Sequence, residues 1–199
     1  MGAHVDDLLT ALLRRDTDVF QDLPQRRREL SRDLIAASLF TDRHGEPGAA
    51  DGLWFEPALF MTRPTVLRRL VGVLGLLIPT GIDRLVGTEP GSLAIVSGLA
   101  LETGLPFVAL REIDGAWHAH GELHPGERVM VIEDVTNTGA RLLSAARALT
   151  GSGATVVEAR SVIDNDRGAR DALAAAGVVF EPLFDLQDLL AQHENGGAR

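Results

Sequence analysis

The sequence predicts an α/β fold in which helices flank a central, parallel, five-stranded sheet. Five short runs rich in apolar residues alternate with segments whose apolar residues recur at helical spacing. Such alternation gives parallel strands joined by right-handed crossovers, with a ligand crevice at the carboxyl edge of the sheet. The five predicted strands are Ile82–Gly87, Pro106–Leu110, Val129–Ile132, Ala154–Ile163 and Val178–Leu183.

Helical spacing predicts the segments between and around these strands. With 199 residues, 45% of them hydrophobic, we expect a single domain: a helical N-terminal part over about 1–60 and an α/β core over about 61–192. Composition predicts a loop at Thr41–Ala50 and a frayed end from His193. The predicted helices are Val5–Leu13, Glu29–Leu39, Pro64–Ile78, Gly91–Thr103, one carrying Leu142 to Leu149, Asp171–Ala176 and Asp185–Gln192.

Charge and composition limit the classes of partner. The formal net charge of −9 argues against nucleic acid as the main partner. No apolar run is long enough for a membrane span, and the start of the chain lacks the pattern of a signal peptide, so we expect a cytoplasmic protein. The chain contains 19 Arg but no Lys, Cys or Tyr, which excludes any mechanism that needs a lysine or a cysteine of its own.

The segment from Val129 to Leu149 carries the most informative pattern. Its apolar run predicts a strand buried on both faces, and Glu133 and Asp134 follow where we expect this strand to end. The next residues are mostly small or polar and lead into a helix: Thr136, Asn137, Thr138, Gly139, Ala140 and Arg141. A helix N-terminus binds phosphate through free backbone N–H groups, and carboxylates accept bonds from sugar hydroxyls. The pattern therefore predicts a phosphate site beside two acids.

This segment resembles the PRPP-binding motif of the type I phosphoribosyltransferases, in which two acids are followed by Thr-Thr-Gly. The resemblance implies that fold, with a small N-terminal hood, and implies that Glu133 and Asp134 bind the ribose hydroxyls while residues 136–141 bind the 5-phosphate. The departures are Asn137 for Thr, Ala140 for Gly, and Arg141 for Ser or Thr. Arg141 either bonds phosphate or points into solvent. The alternative is an ordinary strand-to-helix turn in another doubly wound protein.

Two further segments resemble diphosphate-binding parts of that family. A loop after the first predicted strand resembles its pyrophosphate loop and consists of Thr88, Glu89, Pro90, Gly91 and Ser92. Beside a pyrophosphate, Glu89 either faces a magnesium ion or turns away.

The run Gly104 to Arg111 resembles the orotate phosphoribosyltransferase branch, in which this Arg binds pyrophosphate and a Lys follows. Glu112 takes the place of that Lys. The mobile loop that follows in that branch corresponds here to a predicted loop Ile113–Gly121, which is several residues shorter. His118 in this loop either donates a proton, binds phosphate or has no task.

The resemblance also implies a site for the base. The orotate branch has Asp-Arg-x-x-Gly, whose Arg holds the orotate carboxylate, whereas this chain has Asn165 in that position and Arg167 two residues later. Arg167 either substitutes for the missing Arg, or the carboxylate contact is absent, which we favour slightly. Trp54 and Phe55 lie near the expected hood and either stack on the base or belong to the core.

Together these segments imply an enzyme of pyrimidine nucleotide biosynthesis that transfers phosphoribose from PRPP, with Mg2+, to orotate or a related base. The family's usual homodimer is a further expectation. Two alternatives remain from the residues: a PRPP- or nucleotide-binding relative with lost catalysis, favoured by the missing lysines, and a transferase for a different base.

Overall fold

The computed structural model describes residues 22–37, 41–42, 53–54 and 56–196. The predicted helix Val5–Leu13 and the predicted site residue Phe55 lie outside the described residues. The predicted α/β architecture is confirmed, since the structure has a mostly parallel sheet flanked by helices.

Six strands form the central sheet in the order β5-β4-β3-β6-β7-β8, and a separate antiparallel pair consists of β1 and β2. Only β5 runs antiparallel to its neighbour in the central sheet. The strands are β1 Thr41–Asp42, β2 Leu53–Trp54, β3 Arg84–Thr88, β4 Phe107–Ile113, β5 Ala116–His120, β6 Arg128–Thr136, β7 Thr155–Asp164 and β8 Phe184–Asp185. The acid-bearing β6 thus lies in the middle of the sheet.

Helices cover both faces of this sheet. On one face, helices α1, α3, α4 and α7 pack against side chains such as Leu85 and Met130. On the other face, α5 and α6 pack against Val86 and Val131. The helices are α1 Leu23–Ala37, α2 Pro57–Met61, α3 Pro64–Gly75, α4 Leu93–Thr103, α5 Ala140–Gly151, α6 Ala169–Ala175 and α7 Leu186–Gly196. Adjacent β6 residues alternate between the two cores because side chains alternate along a strand.

One ion pair stabilises the amino edge of the sheet, and one close contact joins two helices. Arg84 of β3, only 7% exposed, forms a bidentate ion pair with Glu127 at 2.9 and 2.7 Å. This arginine keeps the pKa of Glu127 low, at about 2. Helices α3 and α4 approach closely at Gly98, where an added Cβ would lie 2.8 Å from Cγ1 of Val71.

The segment Ile113–Gly121 was predicted to be a loop, but it is largely a β-hairpin. β4 continues to Ile113, and β5 returns beside it after the two residues Asp114 and Gly115. Both turn residues have positive φ, 51° and 77°, as a type I′ hairpin turn requires. The sheet therefore has an antiparallel edge strand that the periodicity did not predict.

The predicted fifth parallel strand, Val178–Leu183, is wrong in extent. Phe180 makes only an isolated bridge to Ala159, and the regular pairing begins at β8. Backbone hydrogen bonds nevertheless join the segment to β7, from the N–H of Glu181 to the oxygen of Ala159 at 3.1 Å and from the N–H of Leu183 to the oxygen of Ser161 at 2.8 Å.

Several predicted boundaries also move. α1 begins at Leu23, six residues before its predicted start, α3 ends at Gly75, and α7 continues to Gly196 through most of the predicted frayed end. Thr41 and Asp42 form a strand within the predicted loop. Among the described residues, no helix is long and apolar enough to cross a membrane.

Candidate active site

Glu133 and Asp134 lie inside β6, which continues to Thr136 instead of ending before the acids. The Glu133 side chain is buried, with the residue 4% exposed. Its carboxylate accepts hydrogen bonds from Oγ1 of Thr88 at 3.4 Å and of Thr136 at 3.3 Å. Nε of Arg141 lies 3.1 Å from the same carboxylate. The buried acid is therefore partnered by two hydroxyls and one cation.

Both acids are harder to ionise than in water. Burial and the neighbouring charge of Asp134 raise the pKa of Glu133 to about 7, against the opposing effect of Arg141. Burial also raises the pKa of Asp134, and hydrogen bonds from backbone N–H groups oppose that effect. Two adjacent carboxylates near the carboxyl end of a central strand, both with raised pKa, are typical of a functional site because packing alone gives no reason to place them there.

The loop 88–92 lies directly against Asp134. A Cβ added to Gly91 would be 2.4 Å from Oδ2 of Asp134, so only glycine allows this approach. The loop is closed by a hydrogen bond from Oγ of Ser92 to the backbone oxygen of Thr88, at 2.8 Å. Within this loop, the Glu89–Pro90 peptide bond is cis. The structure thus brings the predicted diphosphate loop and the acid pair together.

The predicted phosphate loop spans residues 136–141, of which Thr136 ends β6, 137–139 form the loop before α5, and Ala140 and Arg141 begin that helix. Gly139 has a φ of 75° and lies against α6, where an added Cβ would be 3.2 Å from Cα of Ala169. The first turn of a helix has N–H groups without intrahelical partners. Asn137, Thr138 and Ala140 are exposed there, so the loop is open to a ligand at the amino end of a helix.

Arg141 follows that loop, but its side chain extends toward the loop 88–92 and the β4–β5 hairpin. Nη2 donates to the backbone oxygen of Glu89, and Nη1 lies 3.9 Å from Glu112. The guanidinium stacks on the ring of Trp117, 5.1 Å from its centroid. Nε1 of Trp117 donates to Oγ of Ser144 on α5 at 2.9 Å. The Arg141 side chain therefore does not simply point into solvent, while its predicted bond to phosphate stays a prediction.

Arg111 and His118 are cross-strand partners in the β4–β5 hairpin, and both are exposed. Nε of Arg111 lies 3.9 Å from the carboxylate of Glu89. Next to them is an open cavity of about 490 Å3 that carries two cations and three acids. It is lined by Glu89, Pro90, Arg111, Glu112, Asp114, Gly115 and Arg141.

The predicted base residues are placed less closely. Asn165 follows β7, and its Nδ2 donates to Oδ1 of Asn137 at 2.5 Å, so it meets the phosphate loop. Arg167 is exposed in the next turn. Trp54 lies in the short strand β2, paired with Thr41, while Phe55 is outside the described residues.

Sequence reasoning missed three features of this edge. Asp114 lines the cavity, and its Asp-Gly pair was a recognisable hairpin signal. Ser144 accepts the hydrogen bond that holds Trp117. The only hint in the sequence was the position of Ser144 one helical turn after Arg141. Asp164 at the end of β7 is fully buried, and burial raises its pKa although Nε of Arg170 lies 3.7 Å away.

The donor groups of the described residues determine which metal ion this site can hold. In the part of the chain that the structure describes, no group of three or more His, Asp and Glu side chains is arranged to hold an ion. Glu89, Glu112 and Asp114 line the cavity, and Asp134 lies against Gly91 of the adjoining loop 88–92. One or two carboxylates suit an Mg2+ ion that takes most of its ligands from substrate phosphates and water, so these residues fit such an ion.

Solved structures share this fold. Leishmania donovani UMP synthase superimposes with a TM-score of 0.75 at 26% identity, covering 85% of this chain and 38% of that chain. The orotate phosphoribosyltransferase of Aeropyrum pernix has a TM-score of 0.72 at 22% identity, covering 83% and 98% of the two chains. The Mycobacterium tuberculosis enzyme in complex with PRPP has a TM-score of 0.68 at 22% identity, covering 82% and 98%. The fold is that of the phosphoribosyltransferases.

Sequence relatives show which family within this fold the chain resembles. The orotate phosphoribosyltransferase of Thermococcus gammatolerans is 32% identical over 141 residues, which are 67% of this chain and 75% of the relative. That of Halobacterium salinarum is 33% identical over 168 residues, or 79% of this chain and 95% of the relative. No protein-family model matches the chain. The chain belongs to the orotate phosphoribosyltransferase family, which confirms the predicted resemblance.

Proposed function

We propose that this protein transfers the phosphoribosyl group of PRPP to orotate or a related base, with Mg2+, and releases diphosphate. The observation that carries this proposal is the contact of Asp134 with Gly91, which joins the acid pair to the loop 88–92. Relatives named orotate phosphoribosyltransferase and a neighbour solved with PRPP support the same reaction.

The chain's own groups act mainly by positioning and electrostatics. Glu133 and Asp134 accept hydrogen bonds from the ribose hydroxyls and stabilise positive charge on the sugar as the bond from C1 to diphosphate breaks. The open amides at the start of α5 hold the 5-phosphate. The loop 88–92 and Arg111 hold the departing diphosphate, while the base nitrogen forms the new bond to C1. Glu89 would help to hold bound Mg2+, which would neutralise diphosphate charge.

A second candidate keeps this chemistry but changes the base. The amide of Asn165 is occupied by Asn137, and neither carries the positive charge that would pair with an orotate carboxylate. This arrangement favours a base without a carboxylate.

Ligand-induced stabilisation followed by base assays tests both candidates. We expect PRPP with Mg2+ to raise the melting temperature, and turnover with orotate to exceed turnover with uracil, hypoxanthine or adenine. The substitution Asn165→Arg should then improve kcat/KM for orotate, with Arg167→Gln as a control for loss of the nearby charge. Faster turnover of a base without a carboxylate would favour the second candidate, and the absence of any shift with PRPP would contradict both.

We also propose that the protein works as a homodimer in the cytoplasm, because the resemblance to its family implies the dimer. Light scattering coupled to size-exclusion chromatography measures the mass in solution. A single species at the mass of one 21.3 kDa chain would contradict the dimer.

A further inference from the structure

We propose that Arg141 binds the diphosphate group of PRPP, held in place by Trp117, and does not serve the 5-phosphate. This inference rests on the proposed function. It reassigns a side chain that follows the 5-phosphate loop in sequence, and it makes the β4–β5 hairpin part of the diphosphate site.

The direction of the Arg141 side chain carries the first step. Although its backbone lies in the first turn of α5, its guanidinium donates to the backbone oxygen of Glu89 in the loop 88–92. Its Nε lies 3.1 Å from Glu133, so the cation bridges the acid pair and the diphosphate loop. The charge is therefore directed to the leaving group.

The second step is that the guanidinium is held there. The ring of Trp117 supports it at 5.1 Å, and Ser144 fixes that ring through a hydrogen bond of 2.9 Å. Such stacking orients an arginine and leaves its N–H edge free to bond. The Arg141 side chain remains 40% exposed, so a ligand can reach it from the cavity.

The third step is the charge of the cavity. Glu89, Glu112 and Asp114 line it together with only two cations, Arg111 and Arg141. The chain has no lysine that could add a third. A polyanionic diphosphate that enters beside three carboxylates needs both arginines as well as Mg2+. Because planar guanidinium groups bind phosphate oxygens in pairs, Arg141 suits this role.

The test is direct binding to Arg141→Gln, measured by calorimetry with two separate probes. Mg2+ with inorganic diphosphate probes the leaving-group site, and ribose 5-phosphate probes the phosphate loop. We expect about 10- to 100-fold weaker binding of diphosphate, which corresponds to the loss of charged hydrogen bonds, and less than about twofold change for ribose 5-phosphate. Arg147→Gln is the matched control, because Arg147 is an exposed arginine on the same helix.

The outcomes separate this inference from the proposed function. If the unchanged protein binds neither probe, the proposed function fails. If it binds both probes and Arg141→Gln binds diphosphate equally well, only the role of Arg141 is refuted. An equal loss for both probes would place Arg141 in the 5-phosphate site and would also overturn the inference.

Trp117 provides a second measurement that does not remove the charge. Trp117→Leu should weaken diphosphate binding by about two- to fivefold, whereas Trp117→Phe retains an aromatic face but loses the hydrogen bond to Ser144 and should fall between the Leu variant and the unchanged protein. Arg141→Lys should bind diphosphate with an intermediate affinity, because it keeps the charge but loses the planar fork. Equal binding by the Leu and Phe variants would show that the ring does not position Arg141.

Discussion

Replacing Glu133 by Gln is expected to remove a pH dependence of folding stability. Burial and the charge of Asp134 raise the pKa of the folded-state carboxyl from 4.5 to about 7. The folded protein therefore holds this proton more tightly than the unfolded chain does. The contribution to stability is full below about pH 4.5 and is lost as the pH rises through about 7.

The size of this effect follows from the pKa difference. Each pKa unit corresponds to 1.36 kcal/mol, so a shift of roughly 2.5 units lowers the free energy of unfolding by about 3 kcal/mol between those two pH values. Glutamine has nearly the same shape and cannot ionise. Glu133→Gln should therefore lose that slope and become relatively more stable than the unchanged protein as the pH rises.

Urea unfolding followed by circular dichroism, at steps between about pH 5 and about pH 8, measures the free energy directly. Glu102→Gln is the control, because Glu102 is an exposed glutamate on α4. Parallel curves for the unchanged protein and Glu133→Gln would refute the reasoning, since they would show that Glu133 titrates alike in both states. The affinity for PRPP should depend on the same titration. Because binding needs the ionised carboxylate of Glu133, the affinity should fall by at most about tenfold per pH unit below about pH 7.

Three further substitutions test other contacts. Gly91→Ala should weaken PRPP binding at least about tenfold with little change in melting temperature, because its Cβ would meet the carboxylate of Asp134 at 2.4 Å; unchanged PRPP affinity would contradict the close approach. Gly98→Ala should cost about 1–3 kcal/mol in urea unfolding, and Val71→Ala in the same chain should recover part of that loss by making room for the added Cβ. Glu127→Gln should cost about 1–3 kcal/mol at neutral pH by breaking the ion pair with the buried arginine of β3, and equal unfolding curves would refute that role.

Much of the acid-bearing edge could be predicted from the sequence because its determinants are local. The run Val129–Ile132 predicted a buried strand, the small residues to Gly139 predicted a turn, and Thr88–Ser92 predicted a loop at the same edge. Parallel strands place their carboxyl ends together, so these neighbours could be inferred without coordinates.

The misjudged elements show where periodicity is insufficient. The hairpin after Arg111 depends on two positive φ angles at Asp114 and Gly115, and no pattern of apolar residues reports them. Val178–Leu183 had the composition of a strand and forms backbone hydrogen bonds with β7 at Ala159 and Ser161, but regular pairing begins only at Phe184. Composition describes which surface a segment can bury, whereas the regularity of pairing also depends on the neighbouring strand.

By itself, the sequence determined the alternation of strands and helices, the position of two acids near the end of a central strand, and the absence of lysine from the chemistry. Each of these properties depends on composition or on a short stretch of chain. Only the tertiary structure decided that Glu133 is buried enough to titrate near neutrality and that Arg141 extends toward Glu89 and Trp117. Both depend on groups distant in sequence that packing brings within a few ångströms, where desolvation and Coulomb interactions act most strongly.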